Sequence, residues 1–153
     1  MASNRHLGRI VALQTLYERE FRLHAGDESV DVNQVLDRNL ERYQEAIDDK
    51  GFVEQLVNGV IDNTETLDQT LQPIAPEWPL EQIARIDLTT LRLGLYELLY
   101  CGDTVPPKVT INEAVELAKS FGSDNSSKFI NGVLGTAFRT LVEGKADDAE
   151  SKA

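Results

Sequence analysis

Apolar residues recur at three- and four-residue steps along almost the whole chain, and nowhere do they alternate with period two for long enough to make a strand. Leu7, Ile10, Val11, Gln14, Tyr17 and Phe21 mark a first helix. Val32, Val35, Leu36, Leu40, Tyr43 and Ile47 mark a second, and Phe52, Val53, Leu56, Val57, Val60, Ile61, Thr64, Leu67 and Leu71 a third. Each set traces one stripe of a 3.6-residue helix, which must be covered by a neighbour. The stretches GDESVD and DDKG separate the three. The pattern predicts an all-α fold, a helical bundle of about six or seven helices.

Pro73, Pro76 and Pro79 then interrupt the periodicity, because proline lacks an N–H and biases its predecessor to extended geometry. Trp78, inside this stretch, is expected to close one end of the core, its indole N–H finding a partner. Leu80 to Cys101 reads as helix again, with a kink near Arg85, and Ile86, Leu88, Leu91, Leu93, Leu95, Leu98 and Leu99 make it apolar on nearly every side. Such a helix is central, wrapped by the others. Gly102, Pro106 and Pro107 end it. Thr110 and Glu113 have the spacing of a capping box opening the next helix, whose stripe is Ile111, Ala114, Val115, Ala118 and Phe121, with Gly122 as its C-cap. A last helix starts at one of Asp124 to Ser126 and carries Ile130, Val133, Leu134, Ala137, Phe138 and Leu141. Gly132 and Gly135 within it are expected to permit close helix approach. One domain is expected over residues 1–144, followed from Lys145 by a disordered acidic tail, KADDAESKA.

The 153 residues suffice to bury a core without disulfides, and Cys101 is the only cysteine, a pattern that fits a reducing cytoplasm. MASNRHLGRIVALQ has no long apolar core and no small-residue cleavage site, so a signal peptide is not expected. No apolar run is long enough to span a bilayer, so no membrane partner is expected and the assigned location is cytoplasmic. The net charge of −11 argues against indiscriminate nucleic-acid binding, but it is unevenly spread. Residues 1–24 balance at +2, residues 27–68 hold twelve acids against three bases, and residues 108–139 balance at +1. An anionic ligand must therefore meet the first helix or the last two.

Little in the chain points to catalysis. There is no glycine-rich phosphate loop, and His6 and His24 have no carboxylate cluster at metal spacing, so neither a metal nor a cofactor is expected. Acid pairs such as Asp48–Asp49 and Asp147–Asp148 read as solvated charge. No nucleophile has a credible base, and the chain is not read as an enzyme.

Three motifs decide the reading. They are Arg9-Ile-Val-Ala12-Leu-Gln14-Thr-Leu16-Tyr17, the run Leu91-Arg92-Leu93-Gly94-Leu95-Tyr96-Glu97-Leu98, and VPPKVTINEAVELAKSFG over residues 105–122, closed by KFINGVL over residues 128–134. With them the chain resembles the NusB family of transcription antitermination factors over roughly residues 5–142. The resemblance implies a bundle of two small subdomains that binds the boxA element of nascent RNA. It does so with NusE, a small-subunit ribosomal protein. The pair acts within the RNA polymerase antitermination complex, notably in ribosomal RNA operons, and some members form homodimers.

Residue chemistry supports an RNA reading at two places. Arg5 and Arg9 are four apart and share a helix face beside His6, and guanidinium groups so placed can contact successive phosphates. A solvated helix terminus is the plain alternative. The family often carries a denser arginine cluster here, so affinity for RNA alone is expected to be weak and shallow in its salt dependence. Toward the other end, Lys119 and Lys128 flank the turn that carries Asn125 and Ser127, where the N-terminus of the last helix offers N–H groups to an anion. Phe129 lies off the apolar stripe, free to stack on a base or to pack inward. Asn125 stands where many relatives have an acid, a change that favours phosphate. Tyr17 either touches RNA or packs; Asn112 and Asn131 more readily satisfy local backbone. The resemblance also places Asp87 where the family has an acid used toward NusE, with Glu81 as a weaker companion. A first-turn acid complementing the helix dipole is the plain alternative for Asp87.

Two other readings compete. NusB-like domains also begin certain ribosomal RNA cytosine methyltransferases, but that reading needs a methyl-donor domain downstream of the charged tail. A homodimeric protein-interaction module with weak or masked RNA binding is favoured by the thin arginine cluster and the charge of −11.

Overall fold

The computed structural model describes residues 2–75 and 79–143. Trp78 and the tail from Lys145 lie outside the described residues, as does the expectation attached to each. The described residues form seven α-helices: α1 (Ala2–His24), α2 (Val32–Arg42), α3 (Lys50–Asp62), α4 (Thr64–Ile74), α5 (Arg85–Tyr100), α6 (Pro107–Phe121) and α7 (Ser126–Ala137). A 3-10 turn spans Leu80–Gln82 and a π-helical turn Phe138–Glu143. No strand occurs among them. The helices bear out the expected all-α class, and the chain divides into two compact units that part between Asp62 and Asn63.

In the first unit α1 packs on α2 and α3. Its buried face runs through Gly8, Arg9, Val11, Ala12, Leu13, Thr15 and Leu16, so of the stripe expected through Leu7, Ile10, Val11, Gln14, Tyr17 and Phe21 only Val11 is fully buried and the rest is out of phase. The reason is close approach: a Cβ on Gly8 would lie 3.1 Å from Val53 Cγ2, so small residues on α1 let α3 come near. Asp31 caps α2, accepting the Asn33 N–H at 2.9 Å. The helix ends at Arg42, and Ile47 reaches the core from beyond it. Inside, Asn39 Nδ2 donates to Thr15 Oγ1 at 3.0 Å, which satisfies two buried polar side chains at once.

The third stripe breaks in two. Asn63 leaves helical geometry at φ −114° and ψ 13°, its carbonyl accepting from Leu67 N, and α4 starts afresh. Pro73 stays inside α4, contrary to expectation, but only one residue before the helix ends at Ile74, so the chain beyond it need not continue as helix.

In the second unit α5 is the central helix, packed on α4, α6 and α7, and Leu91, Leu93, Leu95 and Leu98 are all buried. Buried Thr89 and Thr90 donate to the Arg85 and Ile86 carbonyls, so their hydroxyls need no outside partner. The expected kink near Arg85 is a full break: a 3-10 turn, then extended Ile83 and Ala84. Gln72 Oε1 holds this break by accepting the Leu80 N–H at 3.1 Å. Arg92 grips Asp68 with two hydrogen bonds of 2.8 Å, tying α5 to α4.

The capping box is overturned. Pro107 starts α6 at its first position, where proline's missing N–H is harmless and its φ preset, so Thr110 falls inside the helix and is buried. Gly122 is the C-cap, its N–H on the Ala118 carbonyl at 2.9 Å, in extended rather than left-handed geometry. The buried stripe of α6 passes through Thr110, Ala114, Leu117 and Ala118 and leaves Phe121 exposed. Gly132 and Gly135 do not serve close packing either: a Cβ on Gly132 would meet open space, and one on Gly135 only Arg139. Gly94 of α5 takes that role, its hypothetical Cβ falling 2.7 Å from Leu134 Cδ1.

Candidate nucleic-acid interface

The first unit gathers its cations around one ring. Asp49, just before α3, accepts the Phe52 N–H through Oδ1 at 3.0 Å, an N-cap contact that fixes the first turn of α3. That turn sets the Phe52 ring beneath α1, where the Arg5 guanidinium lies 4.6 Å and that of Arg9 5.2 Å from the ring centroid. The two arginines are not equivalent. Arg5 keeps 38 % of its side chain exposed and faces Asp49 Oδ2 at 4.0 Å. Arg9 is only 2 % exposed, which corrects the expectation that both are surface groups. Its position falls on the α1 face that carries Ala12, Leu13 and Leu16, so its stem is core and its cation rests on a ring. His6 is half-buried beside them.

Two turns further along α1, Tyr17 is half-buried and stacks on Phe21 at 6.3 Å between centroids. Phe21 is 51 % exposed instead of packed. The pair borders a pocket of about 400 Å³ completed by Gln14, Glu18, Arg38, Asn39 and Arg42. Gln14 Oε1 is buried there without a hydrogen-bond partner among the described residues. Of its two arginines, Arg38 pairs with Glu18; outside the lining, Arg22 pairs with the same Glu18 and with Asp27. The Ser29 hydroxyl and the Arg22 guanidinium hold the Asp27 carboxyl below its usual range.

In the second unit a cavity of about 630 Å³ opens beside the start of α7. Asn125, Lys128 and Phe129 line it, over an apolar floor that includes Ile83 and Val133. Asp87 lines the same cavity from the first turn of α5, with Oδ1 buried and unpartnered among the described residues. The fold thus brings Asp87, expected to face a protein partner, into one cavity with three residues expected to face RNA. Phe129 is half-buried at its wall. The remaining candidates stand apart. Glu81 is exposed on the 3-10 turn, Lys119 is exposed and paired with Glu116 at 3.5 Å, and Ser127 is half-buried outside the lining. Asn125 is the N-cap of α7 but makes no side-chain cap bond. Ser126 Oγ instead accepts the Ser123 N–H at 2.8 Å and closes the turn from α6. Asn112 and Asn131 are exposed.

Sequence reasoning missed Phe52, Asp49 and Gln14. Phe52 was assigned to the core alone and Asp49 to solvent, although an aspartate three residues before a ring at a helix start is a cap signal.

Among the described residues no group of three or more His, Cys, Asp or Glu is placed to hold a metal, and no helix is long and apolar enough to cross a membrane. What the two units present is a set of cations, amides and rings on an all-helical frame, suited to binding charged and aromatic groups. The chain belongs to the NusB family, whose profile matches residues 6–139. It is 43 % identical over 150 residues to a transcription antitermination protein NusB of Chloroflexus aggregans, covering 97 % of this chain and 96 % of that one. T. maritima NusB superposes with a TM-score of 0.73 at 32 % identity, over 86 % of this chain and 87 % of that one. At 20 % identity a further likeness shows the fold alone: a chain from a structure of antitermination factors NusB and NusE with double-stranded RNA, TM-score 0.74, covering 92 % and 100 %.

Proposed function

We propose that this chain is a transcription antitermination factor that binds boxA-type RNA in nascent transcripts together with NusE, within the RNA polymerase antitermination complex, and so supports ribosomal RNA transcription in the cytoplasm. The observation that carries this reading is the family match across residues 6–139, joined to relatives that bear the antitermination name over nearly their whole length. The residue chemistry is consistent with it. Arg5 offers a half-exposed guanidinium on an aromatic seat, suited to a phosphate. Lys128 and Phe129 border a cavity that can pair a phosphate with a stacked base. Asp87, with an unpartnered oxygen, is suited to a cation or N–H donor of a protein partner. His6, Tyr17, Lys119, Asn125 and Ser127 remain secondary RNA candidates, and Glu81 a secondary partner candidate.

Fluorescence anisotropy with labelled boxA RNA, with and without NusE, tests the reading. The mixed protein pair should bind better than either protein alone, and Arg5→Ala and Phe129→Ala should each weaken it. Equal, sequence-blind binding without NusE would overturn it.

The burial of Arg9 thins the exposed arginine cluster further and favours a second reading, a homodimeric protein-interaction module with weak or masked RNA binding. Sedimentation with and without boxA RNA separates the two, since a stable dimer indifferent to RNA belongs to the second.

A further inference from the structure

The first turn of α3 holds two groups against Arg5, and they act on different parts of the guanidinium. The Phe52 ring lies under its face, with Arg5 Cζ 4.6 Å from the centroid. Asp49 Oδ2 stands 4.0 Å from Arg5 Nη2, where the edge N–H groups lie. Those edge groups are the ones a phosphate takes. Asp49 is not a casual surface neighbour, because its other oxygen is engaged by the Phe52 N–H at 3.0 Å. One cap contact therefore fixes both the ring that seats the cation and the carboxylate that competes for it.

We propose that Asp49 is a built-in competitor for the Arg5 guanidinium, displaced when an RNA phosphate binds, while Phe52 is the positioning residue that keeps the cation in place during the exchange. This rests on the RNA-binding reading above. The geometry suits exchange. At 4.0 Å the pair is too long for a strong hydrogen-bonded bridge, and both side chains are more than a third exposed, so the carboxylate lowers affinity without closing the site. The ring contact lies on the face and survives when the edge changes partner. A phosphate satisfies the edge N–H groups with two oxygens in a better geometry than the single distant carboxylate oxygen. Asp49 sets a threshold: it disfavours weak, isolated anions at Arg5 and yields to a ligand anchored elsewhere.

Asp49→Asn isolates the effect, since asparagine keeps the Oδ1 acceptor that caps α3 and loses the charge. In full-length protein, anisotropy with a labelled single-stranded boxA RNA and NusE should show about two- to fivefold tighter binding for Asp49→Asn at low salt, the range set by exposed ion pairs. The gain should vanish when Arg5 is also changed to Gln. Phe52→Leu should weaken binding and shrink the Asp49→Asn gain, and Phe52→Tyr should restore both. A gain of the same size with and without Arg5 would mean a general charge effect and would overturn the proposal, as would no gain in a variant that melts like the parent. If Asp49→Asn lowers the melting temperature, Asp49→Ser, a second capping residue without charge, must show the same Arg5-dependent gain. Loss of all RNA binding by the parent and every variant would overturn the antitermination reading itself and this one with it; a parent that binds while the cycle is additive would overturn only this one.

Discussion

Arg5 and Arg9 offer a sharp test, because a shared helix face gives them one expected role and the fold gives them two. Arg9→Ala removes a long side chain that is 2 % exposed, with its guanidinium 5.2 Å above the Phe52 ring. A desolvated cation–π contact contributes about 2 kcal/mol, and truncating a large buried side chain costs about 2–4 kcal/mol through lost packing. The two overlap, so we expect a total loss of about 2–4 kcal/mol, a fall in melting temperature of roughly 5–15 °C for a chain of this size. Arg5→Ala loses an exposed pair at 4.0 Å and a surface ring contact. Together these are worth about 1 kcal/mol or less, a shift of roughly 4 °C or less. Its effect should fall on RNA, where losing one phosphate contact flattens the salt dependence by about 0.7 in logarithmic slope. Arg9→Met keeps the aliphatic stem over Phe52 and should recover part of the stability lost in Arg9→Ala, which separates packing from charge. Thermal melts and urea unfolding read the first quantity, and anisotropy at several salt concentrations, well below the melt, reads the second. If Arg9→Ala melts like the parent and weakens RNA binding as much as Arg5→Ala, the assignment of Arg9 to the core is wrong.

Three further expectations concern the frame that presents the candidate sites. Gly122→Ala should lower stability by about 1–3 kcal/mol, since its Cβ would fall 2.5 Å from Ser126 Oγ and 2.8 Å from the Ala118 carbonyl, whereas Gly132→Ala, in open space on α7, should be neutral or stabilising by up to about 1 kcal/mol in urea unfolding. Asp68→Asn removes the charge and one of the two acceptors that grip Arg92, whose side chain is 12 % exposed, and should cost about 1–3 kcal/mol in the same assay. The Asp27 carboxyl is held below its ordinary range, so its link to Arg22 and Ser29 adds stability at pH values above its unfolded pKa of about 4 and loses it as pH falls through the lower folded value. Asp27→Asn should therefore reduce the acid sensitivity of the melting temperature slightly, and an unchanged profile would remove Asp27 from the account.

The helices were legible in the sequence because burial of a continuous apolar stripe is strong and periodic, and α5 could be named central from its composition alone. The breaks were less legible. Neither Asn63 nor the extended pair Ile83–Ala84 carries a proline or glycine signal; the second is held by Gln72, eight residues before Leu80, a contact that periodicity does not encode. Proline misled in both directions: Pro73 was expected to end a helix and is tolerated in a last turn, while Pro107 starts α6 three residues ahead of the Thr110 cap assigned to it. At the candidate sites the residue types were readable, but their burial was not.

Arg9 shows why. A charged residue is placed outside by default, since charge is rarely buried without a partner. In α1 that default agrees with a stripe drawn through Leu7, Ile10, Val11, Gln14, Tyr17 and Phe21, of which only Val11 is fully buried. Taking Gly8, Ala12 and Thr15 as interior small residues turns the helix the other way and carries Arg9 into the core with Leu13 and Leu16. The small residues also mark where another helix comes close, and that helix supplies Phe52. The ring is one contact of the buried Arg9 guanidinium, and the same ring seats Arg5 at the surface. The phase of α1, the burial of Arg9 and the presentation of Arg5 are thus one structural fact, and a substitution that fills Gly8 should disturb all three together.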